Sequence, residues 1–263
     1  MKELVTAIIT THNRLALLKK AIESVKRQTY ENIEVIVVDD HSDDGTKEYC
    51  QNLNDVKYIF IPLEESKGGN YARNQGIRHS SGNFIAFLDD DDEWLPTKIE
   101  KQIKLITEKG NEYVYCGLEQ IIITKGSIVH KVKPCNQNYS GNVSKKILSK
   151  IFTTTSCLLL SRKLFDEIVT AIITTHNRLS LRAAQITDFY YVDEPLVLYT
   201  INRSDKQRLT NKVFKWHATT KYIYKKHKNL YRTLSITDKL AYRKLILKEF
   251  VARFYNSIVG AIF

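Results

Sequence analysis

Apolar positions in the first hundred residues fall into short continuous runs, separated by stretches in which they recur at helical spacing. Residues 4–10 (LVTAIIT) form a β-branched run of the length of a buried strand. After the polar Thr11, His12 and Asn13, the residues Leu15, Leu18, Ile22 and Val25 return every three or four positions and predict a helix. Residues 33–38 and 56–61 read as two further strands. Gly68, Gly69 and Asn70 open a helix carrying Tyr71, Arg73, Asn74 and Ile77, and residues 84–88 (FIAFL) read as a fourth strand. Strands alternating with helices argue for an α/β fold: a Rossmann-like, mainly parallel sheet with right-handed crossovers, flanked by helices.

Three of these strands end in polar groups. They are residues 10–13, the pair Asp39 and Asp40, and the run from Asp89 to Asp92. In an open parallel sheet the carboxyl ends of the strands share one edge, where ligands bind, so the three groups are expected to converge. Four adjacent aspartates repel one another. They are tolerated where the chain leaves the sheet and where a divalent cation or basic groups sit among them. The plain alternative is a solvated acidic turn. A calcium loop is excluded, because counting from Asp89 the sixth position, which must be glycine, is Trp94. The Gly68–Gly69 pair fits neither G-x-G-x-x-G nor a phosphate loop, so neither of those nucleotide folds is supported.

Beyond residue 109 the pattern loosens. Residues 113–115, 120–124 and 127–132 read as strands, the last two joined by a turn at Lys125-Gly126. Residues 157–160 read as another strand, 162–168 as a short helix, and 189–192 and 196–199 as strands around Asp193-Glu194-Pro195. Charge then separates off a tail. Of 40 Lys and Arg and 29 Asp and Glu in the chain, residues 201–263 hold 15 and 3, leaving a near-neutral body of 25 and 26. The tail reads as two basic helices, 206–231 and 237–254. Phe250, Val251, Phe254, Tyr255 and Ile258 lie beside Lys244, Lys248 and Arg253, the composition of an interfacial amphipathic helix. An anionic membrane surface suits it. Nucleic acid is not expected, since no reading motif accompanies the charge. Four cysteines without C-x-x-C spacing read as free thiols in a reducing compartment. With no apolar run of membrane-spanning length, the expected location is cytoplasmic, peripheral at the inner face of the cell membrane.

The motifs VTAIITTHNR, VIVVDDHSDDGT, GGNYARNQGI and FIAFLDDDDEWLP, in this order, resemble the family 2 glycosyltransferases of GT-A fold. The resemblance divides residues 1–204 into a nucleotide-sugar-binding half, 1–110, and an acceptor half, 111–204, followed by the extension 205–263. It implies that Thr10, His12 and either Asp39 or Asp40 form the pocket for the base, with Arg73 beside it, and that Asp90 contacts the ribose. Asp89 and Asp91 would hold Mg²⁺ or Mn²⁺ at the diphosphate. The implied reaction is transfer of a sugar from a nucleotide donor, UDP-linked, to a glycan or lipid-linked hydroxyl with inversion, in cell-surface polysaccharide synthesis. His12 departs from the usual tyrosine, though an imidazole also stacks on a base.

An internal repeat falls where the family's catalytic base belongs. Residues 5–15, VTAIITTHNRL, recur unchanged at 169–179, and residues 3–17 match 167–181 at 13 of 15 positions. The family normally places here an E-D-y-E-L helix whose aspartate is the base. In this chain His176 stands near that aspartate's place, and no acidic residue occurs between Glu167 and Asp188. Three readings stay open: His176 serves as base; an unidentified residue does; or the replaced segment leaves a protein that binds nucleotide-sugar without transferring it.

Overall fold

The computed structural model describes residues 2–124, 127–132, 140–144, 146–148, 154–168 and 176–202, with a few isolated helical positions beyond. The parallel part of the sheet is centred on β1 (Val5–Thr11), every residue of which is buried. β2 (Ile33–Asp40) and β4 (Phe84–Asp89) flank it in parallel, and β3 (Val56–Ile61) lies outside β2. Helices α1 (Leu15–Lys26), α2 (Thr46–Gln51) and α3 (Gly69–Arg78) make the crossovers. Period-2 alternation sends Val5, Ala7 and Ile9 to one core, where Leu18, Ile22 and Val25 of α1 pack. It sends Ile8 to the other, with Ala72 and Ile77 of α3. α3 crosses β1 so closely that a Cβ on Gly76 would stand 2.5 Å from Ile8 Cγ2, which accounts for a glycine inside a helix.

Past β4 the strands change direction. β4 pairs antiparallel with β8 (Leu158–Ser161), which pairs antiparallel with β6 (Tyr113–Thr124). β6 runs parallel to β9 (Tyr190–Asn202), and β9 holds β5 (Asp92–Trp94) antiparallel. The order is β3-β2-β1-β4-β8-β6-β9-β5, with β7 (Ser127–Val132) added to β6. The sheet is therefore parallel through the first half and mixed in the second. The aspartate run leaves it for only two residues, Asp90 and Asp91, before Asp92 re-enters as β5.

Two pairs of expected strands are single strands. Residues 113–115 and 120–124 join as β6, and 189–192 and 196–199 lie in or directly before β9. The register between them shifts around Gly117, which faces Pro195. Proline has no N–H for a ladder, so it sits at an irregularity, and the irregularity breaks the alternation that a sequence pattern needs. α4 (Lys98–Lys109) packs against β6 and β9. Its buried Lys98 places the ammonium 4.1 Å from the Trp94 ring centre and donates to Gln102 Oε1 at 2.8 Å. Burial lowers that lysine to about 8.

α5 (Arg162–Ile168) and α6 (His176–Ala183) complete the described fold. Identical residues behave differently in the two copies of the repeat. In the first, His12 to Arg14 form a loop with Asn13 at φ 53°, and the helix starts at Leu15. The Asn13 amide donates to Ser42 Oγ, and its Oδ1 accepts the Asp43 N–H, each at 2.8 Å. In the second copy the helix already starts at His176. Tertiary partners decide the backbone here. Leu179, Ser180, Leu181 and Ala183 of α6 are buried, and the hydroxyls of Ser180 and Tyr113 lie 2.8 Å apart. The remainder of the copied segment, 169–175, the Lys125-Gly126 turn and the expected helices of 205–263 lie outside the described residues. Among the described residues, no helix is long and apolar enough to cross a membrane.

Candidate active site

The parallel register sets Thr10 opposite Asp89 and Thr11 opposite Asp39, so β1, β2 and β4 finish level and their polar ends meet as expected. The acidic run is knitted to the β1 loop. Arg14 Nη1 lies 3.1 Å from Asp90 Oδ1 and 3.5 Å from Asp91 Oδ2, and Thr11 Oγ1 donates to Asp90 Oδ2 at 2.8 Å. Arg73 pairs with Asp89 and also donates to Asn70 Oδ1, so its guanidinium serves the acidic cluster. Asp92 is buried. It accepts Ser156 Oγ at 2.6 Å and the Thr200 amide at 3.1 Å.

Carboxylate oxygens of Asp89, Asp91 and Asp92 all lie within 4.8 Å of one another. Burial raises Asp90 to about 6 against the opposing pull of Arg14. Burial, then the charges of Asp91 and Asp89, push Asp92 well above the usual carboxylate range. Four carboxyl groups thus share one turn with two guanidiniums, and the donor set is oxygen only. Such a set fits a hard divalent cation, Mg²⁺ or Mn²⁺, rather than a soft one.

The second polar group ends the neighbouring strand β2 at the same edge. Asp39 is fully buried: its Oδ1 accepts the Ser42 N–H at 3.0 Å and Ser42 Oγ at 2.5 Å, and its Oδ2 accepts the Tyr58 hydroxyl at 2.7 Å. Both oxygens are spent on holding the loop. Asp40 differs. Its Oδ1 is buried without a hydrogen bond, and His41 Nδ1 stands 3.5 Å away. His12 Nδ1 lies 2.7 Å from the Asp40 carbonyl oxygen, which can only accept, so this nitrogen carries the hydrogen. The His12 and His41 rings are 4.3 Å apart at 42°, and His41 adopts a left-handed φ of 57°.

Sequence reasoning brought Thr10, His12, Asp39, Asp40, Asp89, Asp90 and Asp91 to one edge. It placed Thr11 and Asp92 there as well without giving either a role, and it missed Arg14 and Ser156. Arg14 was findable, since it closes the polar loop after β1. Ser156 was not, because only the antiparallel docking of β8 brings residue 156 against β4 and β5. His176 begins α6; its side chain lies outside the described set.

Residues 6–169 match the family described as Glycosyl transferase family 2. A UDP-Glc:alpha-D-GlcNAc-diphosphoundecaprenol beta-1,3-glucosyltransferase, WfgD of Escherichia coli, is 38% identical over 128 residues, covering 49% of this chain and 50% of that protein. A GalNAc(5)-diNAcBac-PP-undecaprenol beta-1,3-glucosyltransferase of Campylobacter jejuni is 33% identical over 173 residues, covering 62% and 54%. The chain thus spans about half the length of these relatives. Among solved structures, S. aureus TarS 1–349 in complex with UDP-GlcNAc superposes with a TM-score of 0.66 at 16% identity, over 96% of this chain and 72% of that one, which shows a shared fold. With the family match extending over more than half its length, this chain belongs to glycosyl transferase family 2.

Proposed function

We propose that the chain binds a UDP-sugar along this edge and transfers the sugar, with inversion, to a hydroxyl of a glycan or lipid-linked acceptor in cell-surface polysaccharide synthesis. The observation that carries the reading is the buried Asp40 Oδ1, which has no hydrogen bond and stands 3.5 Å from His41 Nδ1, next to the paired His12 and His41 rings. A carboxylate so placed accepts the imide N–H of uracil, while the His12 ring stacks on the base. Thr10 borders this pocket, and Asp90, aligned by Thr11 and Arg14, accepts a ribose hydroxyl. Asp89 and Asp91 would hold Mg²⁺ or Mn²⁺, with Asp92 behind them; the ion supplies neutralisation of the charge that develops on the departing diphosphate. Arg14 and Arg73 hold the carboxylates in place until then. In the transfer itself, the acceptor oxygen bonds to the anomeric carbon, the bond from that carbon to the phosphate oxygen breaks, and His176 takes the hydroxyl proton. The undecaprenol-linked substrates in the names of the relatives support a lipid-linked acceptor.

A second reading, binding without transfer, is favoured by one observation. The family match ends at residue 169, where the copy of residues 5–15 begins. Release of UDP that requires acceptor supports the first reading, and metal-dependent UDP binding without release supports the second. The pocket itself is tested by Asp40→Ala. Loss of a charge-assisted hydrogen bond is expected to weaken UDP binding roughly 10- to 100-fold, with the thermal unfolding temperature little changed. Unchanged affinity would remove Asp40 from the base pocket.

A further inference from the structure

The β6–β7 hairpin is an exposed apolar projection rooted beside the acidic cluster. Ile128 is 62% and Val129 56% exposed. Successive residues of a strand face opposite sides, so both faces of the hairpin stand clear of the core at this point. The register sets Val129 against Ile122 and Ile128 against Ile123, both only partly buried, and makes the apolar surface continuous across the two strands.

Charges ordinarily protect such an edge, and here, beyond Glu119, they share one sign. From residue 120 to residue 165 the chain has eight Lys and Arg and no Asp or Glu; in sequence, Lys125 falls between the two strands, Lys131 within β7 and Lys133 directly after it. Glu119, at the root, faces His130 at 2.8 Å. Isoleucine and valine with lysines as the charged residues beyond the Glu119–His130 pair is the composition of an element that rests in a lipid headgroup layer. An acidic polymer would match the lysines and leave the isoleucines in water.

The position is informative. β9 runs between the hairpin and the acidic cluster: Tyr199 pairs with Asp92 on one side and with Gln120 on the other, and Ile121 faces Thr200, whose amide holds Asp92. Two strand spacings, roughly 10 Å, separate the root of the hairpin from the cluster, and the paired Thr124 and Ser127 lie roughly 10 Å farther along the strands.

We propose that the β6–β7 hairpin docks on an anionic lipid surface and holds the donor site at the height of a lipid-linked acceptor's headgroup. The acceptor part of this statement rests on the function proposed above; the docking part does not. The test is flotation of the full chain with vesicles of phosphatidylcholine, alone or with about one third phosphatidylglycerol, with UDP titrated in parallel. The parent is expected to bind the anionic vesicles, and Ile128→Ser combined with Val129→Ser to bind them roughly tenfold more weakly or worse, at unchanged UDP affinity. Lys131→Gln with Lys133→Gln, which removes no apolar group, is expected to lose the preference for anionic lipid, and decides the matter should the serine variant fold poorly. Absence of vesicle binding by the parent, or binding that neither variant weakens, overturns the docking. So does binding lost only with the lysines and reproduced on heparin, which would make this a surface for acidic polymers. A parent that binds vesicles but not UDP counts against the donor site alone.

Discussion

Arg14→Met is expected to lower the stability of the metal-free protein by about 3 kcal/mol and to make that stability respond to Mn²⁺ more strongly than in the parent. The side chains involved are shielded: Arg14 is 18% exposed, Asp90 6% and Asp91 14%. Removing the guanidinium leaves buried carboxylates facing each other, with Arg73 as the remaining partner at Asp89. Asp90 is already raised by burial, and Arg14 is the largest influence opposing that rise. A divalent cation among the same oxygens replaces what the substitution removes, so binding to the folded state stabilises the variant by mass action. Chemical unfolding followed by circular dichroism, with and without Mn²⁺, reads both effects. Equal stability of variant and parent, with no difference in their response to Mn²⁺, would mean that the acidic turn is merely a solvated loop.

His176→Ala is expected to lower the turnover number by a factor of roughly 10² to 10⁴ while leaving UDP affinity within about twofold. On the function proposed above, the copied residues 169–179 stand where the family carries its base, and His176 stands near the place of that aspartate. An imidazole accepts a proton only when neutral, so the parent's rate rises with pH and levels off, and the variant loses that rise. A structural role for His176 would move stability and UDP affinity and leave the shape of the pH profile alone. Should the parent bind UDP without turning over, the non-transferring reading stands, and His176→Asp, which restores the family's residue type, becomes the variant expected to gain activity.

Continuous apolar runs made the parallel half of the sheet legible. Residues 56–61 coincide with β3, and residues 33–38 and 84–88 lie inside β2 and β4, which run on into the aspartates. The short elements were not legible. α2 offers only Thr46 and Cys50 as buried positions, too few to show a period, and β5 is three residues long, two of them acidic. Gly117 and Pro195 hid the continuity of β6 and β9. For the site, strand ends announced Asp40 and the aspartate run, because register carries them to one edge. That Asp39 is consumed by Ser42 and Tyr58 while Asp40 is not could be learned only from packing. The repeat shows the limit most directly, since His12 to Arg14 and His176 to Arg178 are the same three residues with different backbones.

The central claim, that the acidic turn and the Asp40 pocket together form a metal-dependent UDP-sugar site, is tested most directly by calorimetric titration of UDP into the full chain with and without Mn²⁺, alongside Asp91→Ala. Binding that needs Mn²⁺ and disappears in Asp91→Ala is the expected result. UDP binding that is absent from the parent, or that is indifferent to both the ion and the substitution, would contradict it.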